Sequence, residues 1–193
     1  MSDTYLTNAL IFLLSTLTAF CTYILLCRFI LQMLNVDFFN PVSQAIVRMT
    51  DPPLNPLRRL LPSSKKYDFA AFLIAFGFQL LHVALAALLY KSNINLGGTI
   101  LIGLANTLHK MLNLFTFSIL GYVLISWLSH GGYNPLLDLI KSISLPLLSR
   151  TRRLLPSLGG LDFSPMLAII LLQLIIMLVI IPLRDFGRFF FLT

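Results

Sequence analysis

The sequence predicts an all-α membrane protein with four transmembrane helices. They are arranged as two tandem parallel repeats of a two-helix unit, each with a short interfacial amphipathic helix in its loop. Three observations carry that expectation. The 193 residues are 58% hydrophobic and 11% charged, whereas soluble domains run near half apolar and a quarter charged. The mean hydropathy of +0.89 is concentrated near residues 9–27, 69–90, 111–128 and 166–183. Each stretch approaches the ~20 residues that cross a bilayer's hydrocarbon core, and in lipid each must be helical to satisfy its own backbone. Finally, the chain repeats itself at a constant offset of 94, so the first stretch maps onto the third and the second onto the fourth.

The repeat is carried by polar residues that shared apolar composition does not produce. Asn40-Pro41 recurs as Asn134-Pro135, and Arg58-Arg59-Leu60-Leu61-Pro62 as Arg152-Arg153-Leu154-Leu155-Pro156. Asp68-Phe69 recurs as Asp162-Phe163, and Gln79-Leu80 as Gln173-Leu174. The first repeat is residues 1–94 with a basic loop at 35–68, and the second is 95–193 with a basic loop at 129–165. An even number of spans per unit makes the repeats parallel, related by an axis along the membrane normal.

The first span does not read as a cleavable signal, because residues 1–8 contain Asp3 and no Lys or Arg. Cys21 and Cys27 lie on different faces of that helix and outside any Cys-x-x-Cys motif, which suits packing residues. Ser15, Thr18, Ala19 and Thr22 form a small-residue face that permits close helix packing.

Each loop opens on Asn-Pro, a helix N-cap followed by a first-turn proline. Val42, Ala45, Ile46 and Met49 then share a face in the first copy, and Leu136, Leu139, Ile140 and Ile143 share one in the second. That pattern suits a helix lying in the interface or one packed on the spans. A basic segment follows, 51–62 and 145–156, in which prolines are expected to break any long helix and hold Arg58, Arg59, Arg152 and Arg153 at the headgroups. Those arginines are candidate contacts for lipid or a partner. Asp68 and Asp162 precede the second and fourth spans and are candidate helix caps or ion-pair partners of the arginines. In the second copy Ser164, followed by Pro165, is another candidate cap. Within the spans, Gln79 and Gln173 are expected to hydrogen-bond across helix interfaces, with equivalent spans packing about a pseudo-twofold axis.

Charge sets an orientation. The two loops hold nine Lys and Arg: Arg48, Arg58, Arg59, Lys65, Lys66, Lys141, Arg150, Arg152 and Arg153. The opposite side offers Lys91, Lys110, Arg184 and Arg188, so the positive-inside rule places the loops in the cytoplasm and both termini outside.

The chemistry expected of the chain is sparse. There is no Glu, and no Asp in any expected span, where a cation-coupled pump normally keeps a carboxylate. No catalytic constellation or phosphate loop is present, so no enzymatic activity and no cofactor are expected. His82, His109 and His130 share no spacing and carry no metal expectation. The pI near 9.8 reflects the membrane-facing loops rather than a nucleic-acid surface.

At these motifs the chain resembles the YggT family of bacterial and plastid membrane proteins, over nearly its whole length. The pattern is fullest as Pro146, Arg152-Arg153-Leu154-Leu155-Pro156, Gly159-Gly160-Leu161-Asp162-Phe163-Ser164-Pro165. The first copy has Lys65-Lys66 and Ala70-Ala71 at the equivalent places, and the two-copy form resembles the proteobacterial one. The resemblance implies a multi-pass bacterial inner-membrane protein. It also implies links to osmotic-stress tolerance, division-related gene neighbourhoods and plastid complex assembly, but no set biochemical activity. The expected role is a non-enzymatic assembly or organising factor for envelope or membrane complexes. Its expected partners are anionic lipid headgroups at the basic loops and other membrane proteins, with homo-oligomerisation left open. A small channel or transport component in osmotic adaptation is the alternative.

Overall fold

The computed structural model describes residues 2–36, 39–59, 67–90, 95–128, 134–154 and 162–192. They form helices α1 (Ser2–Met33), α2 (Pro41–Arg58), α3 (Phe69–Leu89), α4 (Leu96–Leu128), α5 (Pro135–Arg152), α6 (Ser164–Ile175) and α7 (Ile181–Leu192). A π-helical turn, Ile176–Ile180, joins α6 to α7 in one continuous rod. Four stretches are long and apolar enough to span a membrane: Tyr5–Met33, Phe69–Leu89, Leu96–Ser126 and Ser164–Phe190. The chain is therefore read as a four-span helical membrane protein. Tyr5, Leu6, Phe12, Leu13, Leu17 and Phe20 on α1 are all more than half exposed, a surface suited to acyl chains rather than water.

Local chemistry sets the helix ends. After α1, Asn35 adopts φ 51°, a left-handed conformation that Asn tolerates. Around it Val36 N–H bonds to the Leu31 carbonyl at 3.0 Å and Asn35 N–H to Gln32 at 3.1 Å, while buried Val36 and Leu31 close the apolar side of the turn. Asn40 caps α2 by accepting from Val42 N–H at 2.9 Å, and Asn134 caps α5 by accepting from Leu136 N–H at the same distance. Pro41 and Pro135 follow in the first turn, where a missing N–H breaks no helical bond.

Three sequence expectations are corrected. The prolines do not break the basic segments: α2 runs through Pro52, Pro53 and Pro56, and α5 through Pro146. In α2, Pro52 and Pro53 deprive only the Arg48 and Met49 carbonyls of their usual donors. Both residues are exposed, so solvent or headgroups can replace those bonds. The buried face of α2 is Ser43, Thr50 and Leu54, while Ala45 and Met49 of the expected face point outward. In α5, Leu139 and Ile143 are buried as expected, with Leu136 outside.

The third span is the other correction. It starts at Leu96 rather than near 111, capped by Asn95, whose side chain accepts from Gly97 N–H at 2.9 Å. Lys110 therefore lies mid-helix and not in a connecting loop. Arg184 likewise lies within α7.

α1 packs on α3, and α4 packs on the α6–α7 rod, so each repeat is an antiparallel pair. The repeats meet along α3 and α4, along α1 and α4, and through α2 and α5. Among the described residues no comparable seam joins α1 to α6, so the packing departs from the twofold expected of two copies. The core lies at the loop end of the bundle. It joins Leu26 and Ile30 of α1, Leu54 of α2, Ala71 and Ala75 of α3, Ile119 of α4, Leu148 of α5 and Leu172 of α6.

The π turn has a local cause. Pro182 in a regular helix would clash with the carbonyl four residues back. The preceding turn is instead widened, with Ile181 N–H reaching the Ile176 carbonyl five residues earlier.

Candidate functional site

Where α1, α2 and α3 converge, two arginines and two aspartates form one neutral ion network. Arg28 of α1 lies at its centre. Its Nε is 3.1 Å from Asp68 Oδ2 and its Nη1 is 2.9 Å from Asp51 Oδ1. The same Nη1 donates to the Val47 carbonyl at 2.9 Å and to Thr50 Oγ1 at 2.7 Å. Arg58, at the last turn of α2, bonds to the same Asp68 oxygen and lies 3.4 Å from Asp51. The side chains of Arg28 and Asp68 are only 8% and 4% exposed. Buried charges persist when paired and hydrogen-bonded, as Arg28 and Asp68 are here. Asp68 also caps α3, its Oδ1 accepting from Ala71 N–H at 3.2 Å. One carboxylate thus combines the cap and ion-pair roles considered for it.

The second copy makes a simpler contact at the same place. Arg152 Nε and Nη2 both bond to Asp162 Oδ2, at 3.0 and 2.7 Å. Asp162 Oδ1 accepts from the hydroxyl and the backbone N–H of Ser164. The Ser164 hydroxyl, its N–H and the Arg152 guanidinium together hold the Asp162 carboxyl below the usual carboxylate range, against a smaller opposing effect of burial. Ser164 heads α6 and lends its carbonyl to the Thr151 hydroxyl at 3.2 Å. This pair is nearly half exposed. Its partners differ because Arg28 corresponds to Tyr122 and Asp51 to Leu145. Tyr122 lies beside Arg152, so an aromatic residue stands where the first copy has a buried guanidinium.

The paired arginines divide their work. Arg58, half-buried, and Arg152, exposed, bond to their aspartates, while Arg59 and Arg153, at the helix C-caps, are exposed. Leu60, Leu61 and Pro62, like Leu155, Pro156 and Lys65-Lys66, lie outside the described residues. The capping asparagines also divide: Asn40 caps α2 and donates from Nδ2 to the Pro135 carbonyl at 2.7 Å, tying the starts of the two loop helices together.

Deeper in the bundle, Gln79 is 1% exposed and donates to Thr22 Oγ1 at 2.8 Å, which in turn donates to the Thr18 carbonyl. The small-residue face of α1 is thus where α3 docks. Gln173 is half-buried, and Thr116, the counterpart of Thr22, turns its hydroxyl to the Leu112 carbonyl at 3.1 Å.

Sequence reasoning missed Arg28. The signal was available, since an arginine followed by Phe29-Ile30-Leu31 at the end of a span must find a buried partner. Comparing the copies concealed it, because Tyr122 carries no charge.

The two copies of this arrangement coincide with two matches to the family model described as CCB3/YggT, at residues 7–89 and 101–183. The chain belongs to the CCB3/YggT family. An uncharacterised Pseudomonas aeruginosa protein is 42% identical over 91% of this chain and 90% of its own length. The uncharacterised YggT protein of Escherichia coli K12 is 38% identical over 87% of each chain. A Haemophilus influenzae relative is 37% identical over 77% of this chain and 79% of its own. No solved structure matches. Within the first CCB3/YggT unit the ion network joins all three helices, and within the second it is reduced to one exposed pair.

Proposed function

We propose that this CCB3/YggT protein is a non-enzymatic organising factor of the bacterial inner membrane. It presents a rigid cationic platform on the cytoplasmic face to anionic headgroups and to membrane-protein partners. The observation that carries the reading is the division of labour in the Arg-Arg pairs. One arginine of each pair fixes its loop helix to the bundle, leaving the other outward at a defined place. Arg48, Arg59, Lys141, Arg150 and Arg153 are exposed on α2, α5 and their C-caps, and the Asn40–Pro135 bond keeps the two helices side by side. Lys110 and Arg184 belong to helices rather than far-side loops, which strengthens the charge bias towards the loop side. A role in osmotic-stress tolerance follows from the family resemblance.

The channel reading draws less support. The Gln79 amide nitrogen donates to Thr22 inside a helix seam, where the residue is 1% exposed.

The test is complementation of a stress-sensitive deletion strain. Arg59→Lys/Arg153→Lys keeps the charge but removes the planar fork that binds carboxylate or phosphate bidentately. Loss of complementation at normal membrane levels supports a geometric contact with a partner or headgroup. Full complementation by the Lys variant and failure of Arg59→Ala/Arg153→Ala leaves simple charge anchoring. Full complementation by both overturns the platform.

A further inference from the structure

A cleft of about 410 Å³ opens between the turn that follows α1 and the first half of α5, so both repeats line it. That volume falls within the ~300–1,000 Å³ usual for small-molecule sites. Val36 and Asn40 border it from the first repeat, and Asp138, Lys141, Ser142 and Leu145 from the second. The four α5 residues stand at i, i+3, i+4 and i+7, which places them on one helix face. The Asn40–Pro135 bond fixes the two borders relative to each other.

The cleft lies at the loop-side surface of the bundle. Val36 follows Met33, the end of the first span, by three residues, and α5 is a loop helix outside the spans. Phe39 and Lys141 are exposed at its mouth, while Asp138 and Ser142 are half-buried.

Its charges are uncommitted. Asp138 and Lys141 are opposite in sign and one turn apart, yet neither forms an ion pair among the described residues. Ser142 donates its hydroxyl proton to the Asp138 carbonyl at 2.8 Å and keeps its oxygen as an acceptor. Asn40 spends both ends of its amide, on Val42 N–H and the Pro135 carbonyl, so it frames the cleft without offering a group. Asp138 also suits the positive start of α5, but that role requires neither a cleft nor a lysine beside it. The pair is confined to one copy, because Gln44 and Val47 stand at the equivalent places.

We propose that this cleft binds the headgroup of a zwitterionic phospholipid, phosphoethanolamine, with its ammonium at Asp138 and Ser142 and its phosphate at Lys141. Helix residues three apart have Cβ atoms about 5–6 Å from each other, a spacing that an ethylene bridge between ammonium and phosphate can match. Both contacts are charge-assisted hydrogen bonds. A purely anionic headgroup would satisfy Lys141 but set a second negative charge beside Asp138. Val36 and Leu145 supply apolar wall for the glycerol and the first methylenes. The proposal rests on the platform reading for placing the loop helices at headgroup level. It assigns the cleft a different lipid from the anionic ones met by the outward arginines.

The experiment measures thermal unfolding of the full chain in non-ionic detergent. Samples carry no lipid, or equal amounts of phosphatidylethanolamine, phosphatidylcholine or phosphatidylglycerol. A ligand that binds only the folded state raises the midpoint with its concentration. Wild type is expected to gain most with phosphatidylethanolamine, because choline has no N–H to donate and glycerol no positive charge. Asp138→Asn is expected to lose that excess while keeping the gain from phosphatidylglycerol. If this variant does not fold, Lys141→Gln replaces it, with the same loss of excess expected. Arg59→Ala/Arg153→Ala should keep the excess, so the platform and the cleft are read separately. Loss of the excess in that arginine variant would move the lipid to the arginines and overturn the cleft. Equal gains from all three lipids, or an excess that survives in the folded Asp138 or Lys141 variant, would overturn it too. A midpoint that rises with protein concentration and with no lipid would give the cleft to a second copy of the chain, against the proposal.

Discussion

Arg28 holds its place because four acceptors surround it: two carboxylates, the Val47 carbonyl and the Thr50 hydroxyl. Removing it would leave Asp68 buried with only Arg58 to neutralise it. Arg28→Ala is therefore expected to lower stability by about 3–5 kcal/mol, the usual consequence of breaking a buried pair. Arg152→Ala breaks an exposed pair and should lower it by about 1 kcal/mol or less. Denaturation in detergent compares the two, and equal losses would remove the distinction between the copies. Asp162 adds a pH dependence. Its carboxyl is held below its ordinary value, so its contribution is fully present above that value and fades as pH falls through the folded one. Acidifying from pH about 5 towards about 3 should destabilise wild type slightly more than Asp162→Asn, the difference being small because the pair is exposed. Residues present in both copies, such as Asp68, Asp162 and the arginines, were legible by comparison within the chain. Arg28 and Asp51 were not, because Tyr122 and Leu145 replace them.

The elements were legible where hydrophobicity is unbroken and obscured where function or geometry dilutes it. α1 and α3 follow their apolar runs. The first half of α4 was hidden because Asn106, His109 and Lys110 lower its hydropathy, although Asn95 followed by two glycines marks a capped start. The prolines of α2 suggested a broken chain, but Arg48 and Met49, whose carbonyls lose their donors to Pro52 and Pro53, are exposed, where that loss is least costly. Close approach of α7 to α4 rests on Gly187, where an added Cβ would meet Ile102 Cγ1 at 2.9 Å, Leu101 Cβ at 3.0 Å and the Ile102 backbone nitrogen at 3.1 Å. A backbone atom cannot swing aside, so Gly187→Ala should lower stability by about 1–3 kcal/mol through overpacking. Gly77 has nothing within 4 Å of its Cβ position, and Gly77→Ala should be neutral in the same assay. A neutral Gly187→Ala would mean that α7 is not seated on α4 as described.

At the scale of the whole molecule, duplication fixes what the two units share and leaves them free to differ. Both keep a two-span unit, an asparagine-capped loop helix and an arginine that meets an aspartate. Among the described residues, the α3–α4 seam without a counterpart, the buried network in one copy only and the Asn40–Pro135 bond make the pair asymmetric. Tandem pairing was readable from the offset of 94, but the asymmetry was not, since it arises from how the copies pack. The organising reading requires both loops on one side of the membrane, opposite the termini. The decisive measurement is labelling by a membrane-impermeant thiol reagent in a background with Cys21 and Cys27 replaced by Ala. Single cysteines are placed at Ser63, Ser157, Ser2 and Thr193. Ser63 and Ser157 should react only from the cytoplasmic side, and Ser2 and Thr193 only from the opposite side. Reaction of Ser63 and Ser157 from opposite sides, or of all four from one side, would contradict the parallel four-span arrangement on which the platform depends.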